Sequence, residues 1–245
     1  MAIKIYLSPA AHESDNPCLV AGCSENTHAN LYLDELTPYL DACGIAWKRN
    51  GKQNVGRMGV QKAVRASNEW GADLHYVVHT NAANGQAQGS RPHVYPTGDG
   101  KAWAEKIIAR RKEIYPYPCI IKTNSDLYEI VNTRAVCVYE ELVFHDNIED
   151  VRWFHEHMRE LAEATVKAFC DIFKMEFRNP YVDLVGDVNG DGKIDTTDAR
   201  LTLQYVTGRI DEGRLNLSAA DVDKNGKINT TDAQLILQNS AGKTK

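Results

Sequence analysis

Two short loops in the last quarter of the chain carry oxygen ligands at the spacing a hard cation needs. "DVNGDGKIDTTD" begins at Asp187 and "DVDKNGKINTTD" at Asp221, a repeat with a period of 34 residues. A calcium loop of this kind takes oxygens from positions 1, 3, 5, 7, 9 and 12 and turns sharply at a Gly in position 6. The first loop therefore predicts Asp187, Asn189, Asp191, the carbonyl of Lys193, Asp195 and Asp198 around one calcium ion, with Gly192 at the turn. The second predicts Asp221, Asp223, Asn225, the carbonyl of Lys227, Asn229 and Asp232 around another, with Gly226 at the turn. Asp-Gly and Asn-Gly clusters also make plain surface turns, but a turn does not require five oxygen side chains at matched positions twice. Position 12 is Asp where an EF-hand has Glu, and no helix evidently precedes the first loop. The pair is thus not a calcium sensor of the helix-loop-helix type.

The histidines raise a second kind of chemistry. "HYVVHTNA" places His75 and His79 on one strand, and four residues of extended chain separate them by about 13 Å, too far for one ion. A hydrolytic zinc site needs three protein ligands from His, Asp or Glu, an open position for water, and a carboxylate to take the water's proton. The helical version, HExxH, is absent. "FHEHMRE" sets His155 and His157 two apart on different helix faces, with Arg159 four beyond His155, so both read as solvated or packing residues. Ligands must then come from strand ends, where open α/β sheets collect their active residues. His12 follows the first strand in "LSPAAHESDN", Glu25 opens the first helix in "SENTHANLYLDEL", and His79 ends the buried strand in "VVHTNA".

The elements that must position these residues are legible from periodicity. "IKIYLSPA" alternates as a strand, and "SENTHANLYLDELTPYLDACG" reads as a helix capped by Ser24 and stopped at Gly44. "IAWKRN" is a second strand, followed by a helix over about 57 to 70, the buried strand "ADLHYVVHTNA", a Gly-rich loop and the extended "RPHVYPTG". "GKAWAEKIIARRKEI" predicts a helix, "VCVYEELVF" a strand, and "EDVRWFHEHMRELAEATVKAFCDIFKM" one long amphipathic helix closing the unit. Strands alternating with helices predict an α/β sheet covered on both faces. Pro180 breaks the pattern, and the expected division is a domain over 1–178, a linker over 179–185 and the calcium repeat over 186–245.

Composition narrows the partners. The net charge of −5 comes without a polybasic run, which argues against nucleic acid or an anionic membrane as the ligand. No run of 18 apolar residues exists, and "MAIKIYLSP" enters a strand directly with no signal-peptide pattern. Cys18, Cys23, Cys43, Cys119, Cys137 and Cys170 form no CxxC pair and read as reduced thiols, with a local disulfide between Cys18 and Cys23 left open.

Over residues 186 to 242 the repeat resembles a type I dockerin. The resemblance implies a small all-α domain folded around two calcium ions that docks onto a cohesin of a scaffold protein, as in cellulosome-type complexes. The family's recognition positions correspond to Thr196, Thr197, Leu203 and Gln204, and to Thr230, Thr231, Leu237 and Gln238. Because the two sets are nearly identical, binding in two orientations related by about 180° is implied.

Over roughly residues 3 to 175, the pieces around His12, Glu25 and His79 resemble the zinc-dependent N-acetylmuramoyl-L-alanine amidases of the amidase type 3 family. The resemblance implies a mixed twisted sheet flanked by helices and one zinc ion held by those three residues. It further implies a catalytic Glu in a pattern like ELGFxxN. "EELVFHDN" offers Glu140 and Glu141; aligning Phe144 and Asn147 selects Glu141, and strand alternation points Glu140 to the opposite face. His75 is then a buried structural histidine, His28 lies one helical turn after Glu25, within reach of the site but more readily a packing residue than a supporting one, and His93 and His145 have no assigned role. Ala11 and Val143 depart from the family's usual Gly at their positions. The implied activity is peptidoglycan hydrolysis, with Glu141 taking the proton of a zinc-activated water and passing it to the leaving L-alanine amine. Action outside the cell at the bacterial wall follows, by an enzyme secreted with its signal removed or by a phage-type endolysin released on lysis. The alternatives are a zinc peptidase or carboxypeptidase on the stem peptide, or a wall-binding scaffold protein without turnover.

Overall fold

The computed structural model describes residues 2–11, 16, 18–20, 22–181, 184–211 and 215–241, and the chain divides into two compact units, Met1–Arg178 and Asn179–Lys245. In the first, β1 (Lys4–Pro9), β2 (Ala46–Arg49), β3 (Leu74–Asn81), β4 (His93–Val94), β5 (Lys122–Thr123) and β6 (Val136–Phe144) form one sheet in the order β2-β1-β3-β6-β4-β5. β2, β1, β3 and β6 run parallel, whereas β4 is antiparallel to β6 and carries β5 parallel at the edge. The sheet is therefore mixed, as expected. β3 lies inside it and is buried from Leu74 to Thr80, which is why its sequence is largely apolar on both faces, with His75, His79 and Thr80 as its buried polar residues.

Alternate residues of β3 meet different layers. Tyr76 packs edge-on against Phe169 of α6 (Met158–Phe173), with ring centroids 5.1 Å apart. Val77 points the other way, into a cluster with Ile130 of α4 (Tyr128–Asn132), Cys137 and Tyr139. α6 also packs on α1 (Glu25–Ala42), where the Tyr32 hydroxyl donates to Thr165 Oγ1 at 2.7 Å, and on α3 (Gly100–Arg111). α2 (Gly56–Trp70) covers the α4 side.

α1 starts where expected, because Ser24 accepts the Thr27 amide at 3.2 Å and closes the first turn. It runs through Pro38, which cannot donate to the Asp34 carbonyl; the Thr37 hydroxyl reaches that carbonyl at 3.5 Å instead. The long helix predicted after β6 is in fact two, α5 (Ile148–Glu156) and α6. The break is at His157, whose backbone leaves the helical region (φ −124, ψ 20). Its Nδ1 lies 3.0 Å from the Trp153 carbonyl, and its ring stacks on Trp153 at 4.6 Å. An apolar period that continues across a bend does not register the bend. β5 and α4 were not anticipated, being too short to show a period.

The second unit contains α7 (Thr196–Val206), α8 (Leu217–Ala220) and α9 (Thr230–Ser240), with Val188, Ala199, Ala220 and Ile236 as its core. α7 and α9 begin with matching capping boxes: Asp195 with Asp198, and Asn229 with Asp232. Among the described residues, no helix is long and apolar enough to cross a membrane.

Candidate active site and metal centres

The parallel strands β1, β3 and β6 deliver their carboxyl ends to one edge of the sheet, and the amino end of α1 arrives at the same edge. Glu25, the first residue of α1, is buried and places Oε1 2.7 Å from His79 Nδ1 near the end of β3. The carboxylate accepts the Thr80 amide at Oε1 (3.3 Å) and Asn16 Nδ2 at Oε2 (2.8 Å), and the Glu25 backbone amide donates to the Asn16 carbonyl at 3.0 Å. In the β3–β6 ladder His79 is the direct partner of Glu141, so both side chains leave the same sheet face one strand spacing apart, about 4.8 Å. The His79 ring also stacks on Tyr139, centroids 4.5 Å apart.

Burial works against a charge on His79, but the hydrogen bond and charge of Glu25, with smaller contributions from Glu141 and Glu129, outweigh it and raise the imidazole's pKa. Two carboxylates, Glu25 in contact and Glu141 in register, beside one buried imidazole form a site with an excess of negative charge. Such a site suits a divalent cation, and the nitrogen and oxygen donors are the types zinc takes in hydrolytic sites. His12, the third ligand expected, lies outside the described residues.

Glu140, one residue before Glu141, faces the opposite layer. It is fully buried and receives Arg111 Nη1 of α3 at 2.6 Å, while the same nitrogen also donates to Ser90 Oγ. Glu140 is thus a structural anion in the core. His75, likewise, is fully buried, stacked on Tyr6, with Nε2 3.1 Å from Glu129 Oε1; the Ser8 hydroxyl shares that oxygen. Glu129 on α4 is a partner the sequence did not suggest. His145 bonds Thr80 Oγ1 at 2.9 Å, and His93 sits edge-on to Tyr139 on the face that bears Glu141.

His28 approaches the site, but its nearest group is not Glu25. Its Nε2 lies 3.1 Å from Nε2 of His155, which is therefore neither simply solvated nor a plain packing residue as its helical spacing suggests, and Cys23 Sγ lies 3.4 Å from that same His155 nitrogen. Burial, and then the neighbouring His155 and His145, push the His28 pKa down to about 4. All six cysteines are free thiols, and Cys43, Cys137 and Cys170 are buried.

In the second unit the expected calcium ligands line two matching loops. In the first, Asp187 accepts the amides of Asp191 and Gly192 at 3.0 and 2.7 Å, and Asp198 accepts those of Val188 and Asn189 at 2.9 and 3.2 Å. In the second, Asp221 accepts those of Asn225 and Gly226 at 3.1 and 2.8 Å, and Asp232 those of Val222 and Asp223 at 3.0 and 3.4 Å. Carboxylate oxygens of Asp221, Asp223 and Asp232 come within 4.8 Å of one another. Position 4 of each loop is left-handed, Gly190 at φ 72 and Lys224 at φ 56. Leu203 and Leu237, at matching places on α7 and α9, are exposed despite being apolar.

Residues 5–171 match the family model described as N-acetylmuramoyl-L-alanine amidase, and residues 185–239 match the type I dockerin domain. No curated protein matches the chain. Among solved structures, the chain is similar to the catalytic domain of CwlV, an amidase from Bacillus (Paenibacillus) polymyxa var. colistinus, with a TM-score of 0.63, 10% identity, and coverage of 71% of this chain and 99% of that one. It is also similar to an amidase from Clostridium difficile 630, with a TM-score of 0.64, 12% identity and coverage of 71% and 97%. The catalytic domain of the CD27L endolysin, which targets Clostridia difficile, gives 0.59, 21% identity and coverage of 69% and 97%. At such identities the structures speak for the fold, while the family model covers well over half of the sequence. The chain belongs to the N-acetylmuramoyl-L-alanine amidase family and is a peptidoglycan amidase carrying a type I dockerin at its carboxyl end.

Proposed function

We propose that the first unit is a zinc-dependent amidase that cleaves the bond between the lactyl group of N-acetylmuramic acid and the L-alanine of the stem peptide. The observation that carries this reading is the convergence of Glu25 and His79 at 2.7 Å with Glu141 in register beside them. His12, Glu25 and His79 would hold one zinc ion. When bound, zinc supplies a Lewis acid at the scissile carbonyl and a water acidic enough to ionise near neutral pH. Asn16 and the Thr80 amide orient the Glu25 carboxylate toward that position. Glu141 takes the proton of the attacking water and returns it to the nitrogen of L-alanine as the amide breaks. The family match favours this bond over cleavage within the stem peptide.

The second unit would bind two calcium ions and dock onto a cohesin, holding the enzyme on a scaffold at the bacterial wall outside the cell. Thr196, Thr197, Leu203, Gln204, Thr230, Thr231, Leu237 and Gln238 would form the two equivalent docking faces, and the exposure of Leu203 and Leu237 supports that use.

Mass spectrometry of muropeptides released from purified peptidoglycan tests the amidase reading. Stem peptides with a free amino-terminal L-alanine are expected, abolished by chelator and restored by zinc. Peptides cut internally, with the lactyl amide intact, would overturn it.

A further inference from the structure

A second cluster of metal-ligand side chains lies behind the active edge. Cys18 and Cys23, on the loop before α1, meet His28 of α1 and His155 at the end of α5, and their four ligand atoms lie within 4.8 Å of one another. These residues come from three elements and from positions 127 apart between His28 and His155. We infer that Cys18, Cys23, His28 and His155 form a tetrahedral structural zinc site, separate from the one at Glu25 and His79.

The geometry supports this in two ways. First, zinc at its usual bond lengths, about 2.3 Å to sulfur and about 2.0 Å to nitrogen, sets tetrahedral edges of roughly 3.3 Å between nitrogens and roughly 3.5 Å between nitrogen and sulfur. The observed 3.1 Å between His28 Nε2 and His155 Nε2, and 3.4 Å between Cys23 Sγ and His155 Nε2, are close to those edges. The Cys18 thiol lies within 4.8 Å of the other three ligand atoms. Second, four residues separate the two cysteines, a spacing structural zinc knuckles use. The Val20 amide points at Cys18 Sγ from 3.2 Å, ready to donate to a thiolate.

On binding, each thiol loses its proton to solvent and the two thiolates cancel the charge of the ion. The product is a neutral unit suited to a place where His28 is fully buried. Its effect would be positional. Cys23 and His28 bracket Ser24 and Glu25, and the loop that carries Cys18 also carries Asn16, which holds the Glu25 carboxylate at 2.8 Å. A cation here would clamp that loop to α5 and so fix the carboxylate that faces His79.

Cobalt titration of the reduced full-length chain, with calcium present to fill the carboxyl-terminal loops, tests the inference. Two cobalt ions per chain are expected, one of them with a thiolate-to-cobalt charge-transfer band in the near ultraviolet. The amidase site contains no thiolate and cannot produce that band. Cys18→Ser with Cys23→Ser should remove the band and one equivalent of metal, whereas His79→Ala should remove the other equivalent and leave the band. A folded, reduced wild-type chain with no thiolate band would overturn the inference. So would native protein whose mass, lower by two hydrogens, maps to a Cys18–Cys23 disulfide. If the serine variant fails to fold, the wild-type spectrum decides.

Discussion

Glu140 and Glu141 are consecutive in the chain and belong to opposite sides of the sheet: the first is sealed against Arg111 at 2.6 Å, the second is paired in register with His79. The alternation of a strand turns one residue of sequence into a change of layer and hence of role. Substituting each with Gln separates the two. Glu141→Gln should lower the rate of amide hydrolysis by about 10²- to 10⁴-fold with the melting temperature unchanged. Glu140→Gln should instead destabilise the fold by roughly 3–5 kcal/mol, because it leaves the Arg111 charge buried without its counter-ion. Muropeptide release and thermal denaturation of both variants are the measurements.

His75 and His79 should part in the same manner. His79→Ala is expected to lose the zinc of the amidase site and with it the activity. His75→Ala should keep that zinc while costing about 2–4 kcal/mol, from a cavity beside Tyr6 and the loss of the partner of Glu129. Metal analysis after dialysis, together with denaturant unfolding, distinguishes them.

Lys224 is a non-glycine residue at φ 56 where the other loop has Gly190 at φ 72. A left-handed conformation costs a side-chain-bearing residue about 1 kcal/mol relative to glycine. Lys224→Gly should therefore stabilise the calcium-loaded second unit by up to about 1 kcal/mol, and Gly190→Lys should destabilise it by a similar amount. Unfolding curves in saturating calcium give both values.

The matched positions of Leu203 and Leu237 predict redundancy in docking. Either Leu203→Asp or Leu237→Asp alone should leave cohesin binding within a few-fold of wild type, since the other face remains. The double variant should lose it. Calorimetric titration against a cohesin panel, with circular dichroism to verify folding, measures this; strong loss from one substitution would mean a single docking face.

What could be read along the chain was what is local. The repeated Asp- and Asn-rich loops were legible because all their oxygen side chains fall within 12 consecutive positions, and α1 was legible because its cap, Ser24, directly precedes it. The separation of Glu140 from Glu141 followed from strand period alone. Glu25 and His79 were named through the family pattern, and the meeting of their side chains is a tertiary fact. Other relationships had no local signal. Arg111 as counter-ion of Glu140, Glu129 as partner of His75, and the meeting of Cys23, His28 and His155 each join residues tens of positions apart or more. The bend at His157 that ends α5 just after His155 was equally hidden, because the apolar stripe runs on through it. Periodicity records which face of an element is buried. Which group on another element meets that face is set by how the layers pack, and only the folded chain decides it.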